Sequence, residues 1–483
     1  MGKKSTVAIE INNNKAQFHG SYETLNTLYE AFRIRHPNAF HMRNYMPKGW
    51  DGKIDVMSKK GSIELGLLPK FITKMDELGI RYEIGDHRPP VEVPKVIAEF
   101  NGYTLRDYQE SSLRAVVEHH IKDSTGDIIP FHRGILKEAT NAGKTLMAAG
   151  LFLSFNKLPT LMFINGTDLY EQALKEMPGY IGAENVGRID PKEIKLAPFT
   201  LVKVRTLANR LDKLKRELIK YRVGIIDECD QADNKTYKRP LSHLINLSVR
   251  VGMSGTAQMG KLKKHEPKKI AIEGAFGPII HETTNRDLID KGHSMEVVVK
   301  INKGNDKVYE GLTYQEEYDE CIVFNKNRNR TILKRLNYNC VKKKRIPALV
   351  ICQRLDHVQE LYKMSKKHFK KEYRVAYATG QMKTKKRKQI IEDFREGKID
   401  ILITSMIISR GMNLPLTQFL INAAGGESAE RPLQILGRLF RKLEGIKYKY
   451  YEDFWDEGQY LRHHSRRRRL YYEDEDLVVL PLF

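Results

Sequence analysis

An apolar run, Gly134–Glu138, leads into Ala139-Thr140-Asn141-Ala142-Gly143-Lys144-Thr145, and a helix-forming stretch begins near Leu146. A strand, a turn containing glycine, a Lys-Thr pair and a helix, in that order, leave few architectures open. Backbone N–H groups at such a turn wrap phosphates, the lysine reaches the β- and γ-phosphates, and the hydroxyl suits magnesium. Thr140, Asn141, Ala142, Gly143, Lys144 and Thr145 are therefore the candidate phosphate-binding residues, with Thr145 also a candidate Mg2+ ligand. The first glycine of the usual GxxxxGK[ST] spacing is Glu138 here, so the bare pattern is not met.

About 80 residues further on, Val223–Ile226 ends in Asp227-Glu228. Asp227 is placed to hold magnesium, and Glu228 to orient or deprotonate an attacking water. Alone, such a pair is usually a solvated strand end; its position after the Gly-Lys-Thr turn gives it the catalytic reading. Short apolar strands alternate with amphipathic helices from about residue 101, at Gly134–Glu138, Thr160–Ile164, Thr200–Val204, Val223–Ile226 and Val251–Ser254. The alternation recurs at Ala348–Cys352, Arg374–Tyr377, Ile399–Thr404 and Phe419–Asn422. Two tandem α/β domains with parallel sheets are the expected core.

The 83 Lys+Arg against 60 Asp+Glu leave a formal charge of +23, which predicts attraction to polyanions, most simply nucleic acid. The four cysteines show no CxxC spacing, which argues against a zinc cluster or disulfide framework and for a reducing compartment. No apolar leader opens the chain and no run approaches a membrane span, so a cytoplasmic protein without membrane contact is expected.

The motifs, taken in order, resemble those of superfamily 2 helicases. Leu105-Arg106-Asp107-Tyr108-Gln109 is similar to the adenine-reading motif, in which Gln109 would pair with the base edge beside Arg106. Asn165–Leu169 and Arg205-Thr206 fall where strand-contacting motifs occur, and Ser254-Gly255-Thr256 where hydrolysis is coupled to motion. Thr404 through Gly411-Met412-Asn413 resembles the fifth motif, with Asn413 where aspartate is more usual. Gln434-Ile435-Leu436-Gly437-Arg438-Leu439-Phe440-Arg441 matches QxxGRxxR in full. The resemblance implies two RecA-like domains binding ATP and Mg2+, with Gln434, Arg438 and Arg441 acting in catalysis alongside Lys144 and Glu228. Gly411 and Asn413 would contact the nucleotide, and Arg205, Thr206 and Thr404 the nucleic acid. Arg438 and Arg441 lie about one helical turn apart, so both can face the same phosphates.

Motor motifs do not name the substrate; the flank speaks to it. Met42–Ile54, with Trp50-Asp51-Gly52, and Gly66-Leu67-Leu68-Pro69 resemble the N-terminal region of UvsW-type phage helicases, as do Phe276-Gly277-Pro278 and Asn327-Arg328-Asn329. That resemblance implies remodelling of branched DNA in recombination, repair and replication. Arg33–Lys60 holds seven basic residues against two acidic ones. Arg43, Lys48 and Lys53 are candidate phosphate contacts, and Trp50 either stacks on an unpaired base or packs the core. An RNA helicase or annealing factor, and a DNA-binding scaffold with an inactive ATPase, stay open. Single-strand-binding and recombination proteins are candidate partners, and a monomer is expected.

The expected organisation is a DNA-binding α+β domain at 1–88, a proline-spaced linker at 89–100, and RecA-like domains at 101–280 and 281–465. A basic and acidic tail, 466–483, would either recruit a partner or dock Leu477–Leu480 as an edge strand. If 89–100 is a linker, residues 1–88 should be removable without unfolding the motor.

Overall fold

The structure is a computed structural model describing residues 6–480 apart from 38, 43–48, 140, 256–265, 371, 407–415, 427–435, 438, 440–441 and 444. The chain forms two compact units, Met1–Thr283 and Thr284–Phe483.

The first unit opens with a small sheet in the order Ser62–Glu64, Lys15–His19, Thr6–Ile11, Arg81–Asp86. Strict alternation along Thr6–Ile11 turns Val7, Ile9 and Ile11 inward. Two helices accompany it, Tyr22–Ala31 and Leu68–Glu77. Ser21 caps the first, accepting from Thr24 N at 3.2 Å, and Pro69 sits in the first turn of the second. Lys53–Ile54 pairs with Ile34–Arg35, which closes the loop carrying Trp50.

This α+β region is not a separate domain on a tether. Its core, with Val7, Phe18, Leu28 and Phe71, also contains Ile121, Ile129 and Phe131 from beyond residue 100. Buried Arg133, which opens the strand leading to the Gly-Lys-Thr turn, donates to Asn13 O at 2.6 Å and Ala275 O at 2.9 Å. Arg250, also buried, bonds Asn14 Oδ1 and donates to Leu241 O at 3.2 Å. The proline-spaced stretch is fixed as well. Arg222 donates to Pro89 O at 2.9 Å, Lys95 N to Ser154 O at 3.1 Å, and Val91 and Val96 pack on the main core. The expected boundary at 88 and linker at 89–100 are thus corrected: a long-range core crosses them.

The main sheet of this unit has eight strands. Their order is Ile194–Lys195, Val186–Ile189, Phe199–Lys203, Thr160–Ile164, Val223–Asp227, Val249–Ser254, Arg133–Glu138, Ile279–Thr283. All pairings are parallel except that of the two outermost strands at the Ile194 end. Helix Lys144–Ser154 is almost wholly apolar and lies in the main core, so the turn before it sits on a rigid base.

The second unit is built on seven parallel strands. They run Val375–Ala378, Ile401–Ser405, Ala348–Cys352, Phe419–Asn422, Tyr448–Trp455, Glu296–Lys303, Val478–Leu480. Val478–Leu480 docks on Glu296–Lys303, the edge-strand alternative for the apolar terminus. The separate tail at 466–483 is corrected on the same ground. Helix Leu461–Asp474 runs across position 465, and Arg468 within it is buried, donating to Asp453 Oδ2 at 2.8 Å. Among the described residues no helix is long and apolar enough to cross a membrane.

Candidate ATP and nucleic-acid site

Glu138 is the last residue of its strand, not part of the turn, which explains why glycine is not required there. Its side chain is fully buried, accepting from Ser112 Oγ at 2.6 Å and lying 2.9 Å from His281 Nδ1. A buried carboxylate needs such partners. The departure from the usual pattern is therefore a polar tie between strand Arg133–Glu138, helix Asp107–Val117 and strand Ile279–Thr283.

Two left-handed residues shape the turn, Asn141 at φ 78° and Gly143 at φ 82°. Asparagine tolerates that conformation; at 143 only glycine fits, because a Cβ would also fall 2.5 Å from Gln109 Nε2. Gly143→Ala is expected to cost about 1–2 kcal/mol in backbone strain alone. It should lower the melting temperature and ATP affinity together; wild-type values of both would show that the turn relaxes at no cost.

Gln109 is placed differently from the expectation. It is only 3% exposed, its Oε1 accepts from Arg106 N at 2.9 Å, and its Nε2 donates to Ala142 O at 2.7 Å. Tyr108 OH donates to the same carbonyl at 3.1 Å and accepts from Arg106 Nη1 at 3.1 Å. In this conformation Gln109 holds the phosphate turn to helix Asp107–Val117, and pairing with a base edge would require exchanging those bonds. Arg106 is exposed.

Asp227 closes its strand one position removed from Arg133–Glu138, with Val249–Ser254 between them. Burial pushes its carboxyl above the usual carboxylate range and Glu228 adds to the push, while the Lys144 ammonium and the Glu228 N–H (3.1 Å from Asp227 Oδ1) oppose it. Glu228 itself is half-buried at φ 54°, a left-handed conformation that costs a side-chain-bearing residue and turns the chain sharply. Lys144 and Thr145 begin the helix and are half-buried. An all-oxygen set of Thr145 hydroxyl and Asp227 carboxylate suits a hard divalent cation, and a buried carboxylate with a raised pKa is stabilised in its charged form by one. Bound there with ATP, Mg2+ would neutralise phosphate charge.

Two contacts that sequence reasoning missed converge behind this pair. Ser254 Oγ donates to buried Asp230 Oδ1 at 3.0 Å, and Asn165 Nδ2 to Gln231 Oε1 at 2.6 Å. The residues just after Asp227-Glu228 thus receive both the Asn165 and the Ser254 motifs. The signal was present: Asp230 is a third carboxylate within four residues of Asp227.

Of the candidate nucleic-acid contacts, Arg205 is exposed at the start of helix Val204–Leu218 and Lys53 is exposed beside Trp50. Two are corrected. Thr206 is buried, and Thr404 is fully buried with its hydroxyl donating to Ala378 O at 2.8 Å, so its role is to tie neighbouring strands. Trp50 is half-buried: its Nε1 donates to Lys53 O at 2.8 Å and its ring meets His36 edge-on at 5.9 Å. Arg33 pairs with Asp51 at 2.7 Å and Asp55 at 2.9 Å, engaging both acidic residues of the segment. Arg43, Lys48, Thr140, Gly411, Asn413, Gln434, Arg438 and Arg441 lie outside the described residues.

Family models match both halves of the chain: type III restriction enzyme, res subunit, over residues 102–259, and helicase conserved C-terminal domain over residues 311–442. The two matched regions place the chain in the class of superfamily 2 helicases, ATP-dependent enzymes acting on nucleic acid. Over 368 residues it is 24% identical to the DNA 3'-5' translocase XPB2 of Sulfurisphaera tokodaii, covering 70% of this chain and 79% of that one. Saccharomyces cerevisiae Dbp5 bound to RNA and ADP BeF3 superposes with a TM-score of 0.54 at 16% identity, over 78% of this chain and 90% of that one. T4 UvsW aligns over 99% of both chains at 18% identity, with a TM-score of 0.47. At 16% identity the likeness to Dbp5 speaks for the fold alone.

Proposed function

We propose that this protein is an ATP-driven DNA helicase or translocase that remodels branched DNA, by fork regression or branch migration, in recombination, repair and replication. The observation that carries the branched-DNA reading is the attachment of the Trp50 loop. It belongs to the compact unit that holds the Gly-Lys-Thr turn, through a shared core and the Arg133 and Arg250 hydrogen bonds. A basic, aromatic element built into the same unit as the nucleotide turn can part or steer strands as they move, whereas a tethered one only adds affinity. The relative named as a DNA translocase supports DNA as the polymer. RNA is the rival, since the motor motifs do not distinguish the two. The test is strand separation on forks, three-way and four-way junctions and linear duplexes of both polymers. Preference for branched DNA is expected; equal action on linear RNA duplexes would end the proposal.

Arg441 is proposed to stabilise charge on the transferring phosphoryl group, with Arg438 and Gln434 near it. Cations in that role contribute about 10³–10⁵-fold to turnover in other phosphoryl-transfer enzymes. Arg441→Ala is therefore expected to lower turnover at saturating ATP by at least ~10²-fold, with ATP affinity reduced much less. A collapse of affinity with unchanged saturated turnover would make Arg441 a ground-state binder.

A further inference from the structure

The carboxyl edge of the second unit's sheet carries a cleft that no motif described above uses. Its volume is about 530 Å3, and it is lined by Trp455, Arg462, His463, Arg466, Arg469 and Glu473. Trp455 ends the strand Tyr448–Trp455. Because all strands of this sheet are parallel, Trp455 shares its edge with Cys352 and Ser405. Ligands of open parallel sheets bind beyond that edge. The cations come from helix Leu461–Asp474, whose spacing separates two faces. Leu461, His464, Ser465, Arg468 and Tyr472 are buried, while Arg462, His463 and Arg466 are exposed.

The frame around the cleft is rigid. Asp456, next to Trp455, is buried and paired with buried Arg328 at 2.8 Å. Buried Glu317 accepts from the backbone N–H groups of Gln459, Tyr460 and Leu461 at 2.7, 3.0 and 2.9 Å, fixing the turn into the helix. Arg468 and Tyr472 anchor the helix to Asp453 at 2.8 and 2.7 Å. The indole is oriented by its own hydrogen bond, Nε1 to Glu457 Oε1 at 2.8 Å. The charges, by contrast, lie at the surface. Arg469 pairs with Glu473 at 2.7 Å, Arg462 pairs loosely with Glu457 at 3.5 Å with its side chain 70% exposed, and among the described residues Arg466 bonds no other. The wall therefore carries one unpaired guanidinium group and, one helical turn away, a second held only in an exposed pair, beside a half-buried aromatic plane.

We propose that this cleft is a strand-binding site for single-stranded nucleic acid, stacking one base on Trp455 and holding adjacent phosphates with Arg462 and Arg466. Base stacking on an aromatic side chain and cations along the backbone are the two elements such a strand requires. The site rests on the reading of the chain as a nucleic-acid motor, though not on its preference for branches or on active hydrolysis.

Trp50 and Trp455 are the two tryptophans of the chain, so Trp50→Phe makes intrinsic emission report on Trp455 alone. Oligo-dT and oligo-rU, added without ATP, are the probes, and they distinguish the two polymers. Saturable quenching by at least one is expected. Adding Arg462→Ala and Arg466→Ala should weaken binding about tenfold and flatten the log–log salt dependence by about 0.7 per lost phosphate contact. Both side chains are exposed, so the melting temperature should hold. Trp455→Ala, with binding followed on a labelled oligonucleotide, should cost about tenfold through lost stacking. No quenching by either oligomer, or a double variant with unchanged affinity and slope, would overturn the site. Quenching by free ATP or thymidine monophosphate equal to that by the oligomers would also overturn it, in favour of a mononucleotide pocket. An inactive ATPase would leave these readouts untouched, so failure of the site and failure of the motor reading are separable.

Discussion

Replacing Lys144 with alanine is expected to reduce ATP turnover by at least roughly 10²-fold, the scale of removing one preorganised charge-stabilising donor, while leaving nucleic-acid binding without ATP nearly unchanged. Lys144 starts a helix buried in the main core, so its ammonium is held at the phosphate turn by a base that does not move. Two effects add in the variant. The phosphates lose their cation, and Asp227, already raised by burial and by Glu228, loses the ammonium that favours its charged form. Asp227 becomes harder to ionise and so a poorer metal ligand. Glu228→Gln isolates the other half of the chemistry, since the amide keeps shape and polarity but cannot take a proton. ATP should bind it with near-normal affinity and turn over about 10²–10⁴-fold more slowly, the range of general-base contributions. Phosphate release at saturating ATP measures both, and near-normal turnover in either variant would remove these residues from the site.

A chain beginning at Val91 is expected to lose the folded first unit altogether. Such a chain lacks Val7, Ile9, Phe18, Leu28 and Phe71, which enclose Ile121, Ile129 and Phe131. The acceptors on Asn13 and Asn14 go too, leaving Arg133 and Arg250 with fewer partners at the base of the sheet. Folding stabilities of only about 5–15 kcal/mol do not survive removal of a core of that size. Phe71→Ala grades the same effect: it is fully buried and stacks on Phe32 at 3.7 Å, and its loss should cost about 3–5 kcal/mol. The truncated chain should show no cooperative melt for the first unit and no ATP binding. A sharp transition near that of the full chain would mean that the shared core is dispensable and residues 1–88 a true appendage.

The phosphate turn could be read from the sequence because its parts are contiguous: strand, two left-handed positions, Lys144 and Thr145 all lie between residues 133 and 145. What escaped depends on contacts distant in sequence. Glu138 looked like a defect in a glycine pattern; its function needs Ser112 and His281, 26 and 143 positions away. The prolines from 89 to 94 read as a linker because proline lacks a donor, yet the carbonyls of Pro89 and Pro90 serve Arg222. Thr206 and Thr404 sit in strand-contacting motifs by position, but whether a threonine faces solvent is decided by packing that spacing alone does not encode. The basic run Arg466–Arg469 splits for a reason only the helix reveals, with Arg468 turned inward to Asp453 and Arg466 outward.

This chain is proposed to couple ATP hydrolysis to nucleic acid. Phosphate release by the full-length protein, measured with Mg2+ and saturating ATP in the absence and presence of single-stranded and forked DNA, tests it most directly. Slow basal release, strong stimulation by DNA, and loss of that stimulation in Lys144→Ala are expected. Release that is absent under all conditions, while the protein still binds DNA, would contradict it and leave a nucleic-acid-binding scaffold built on a motor fold.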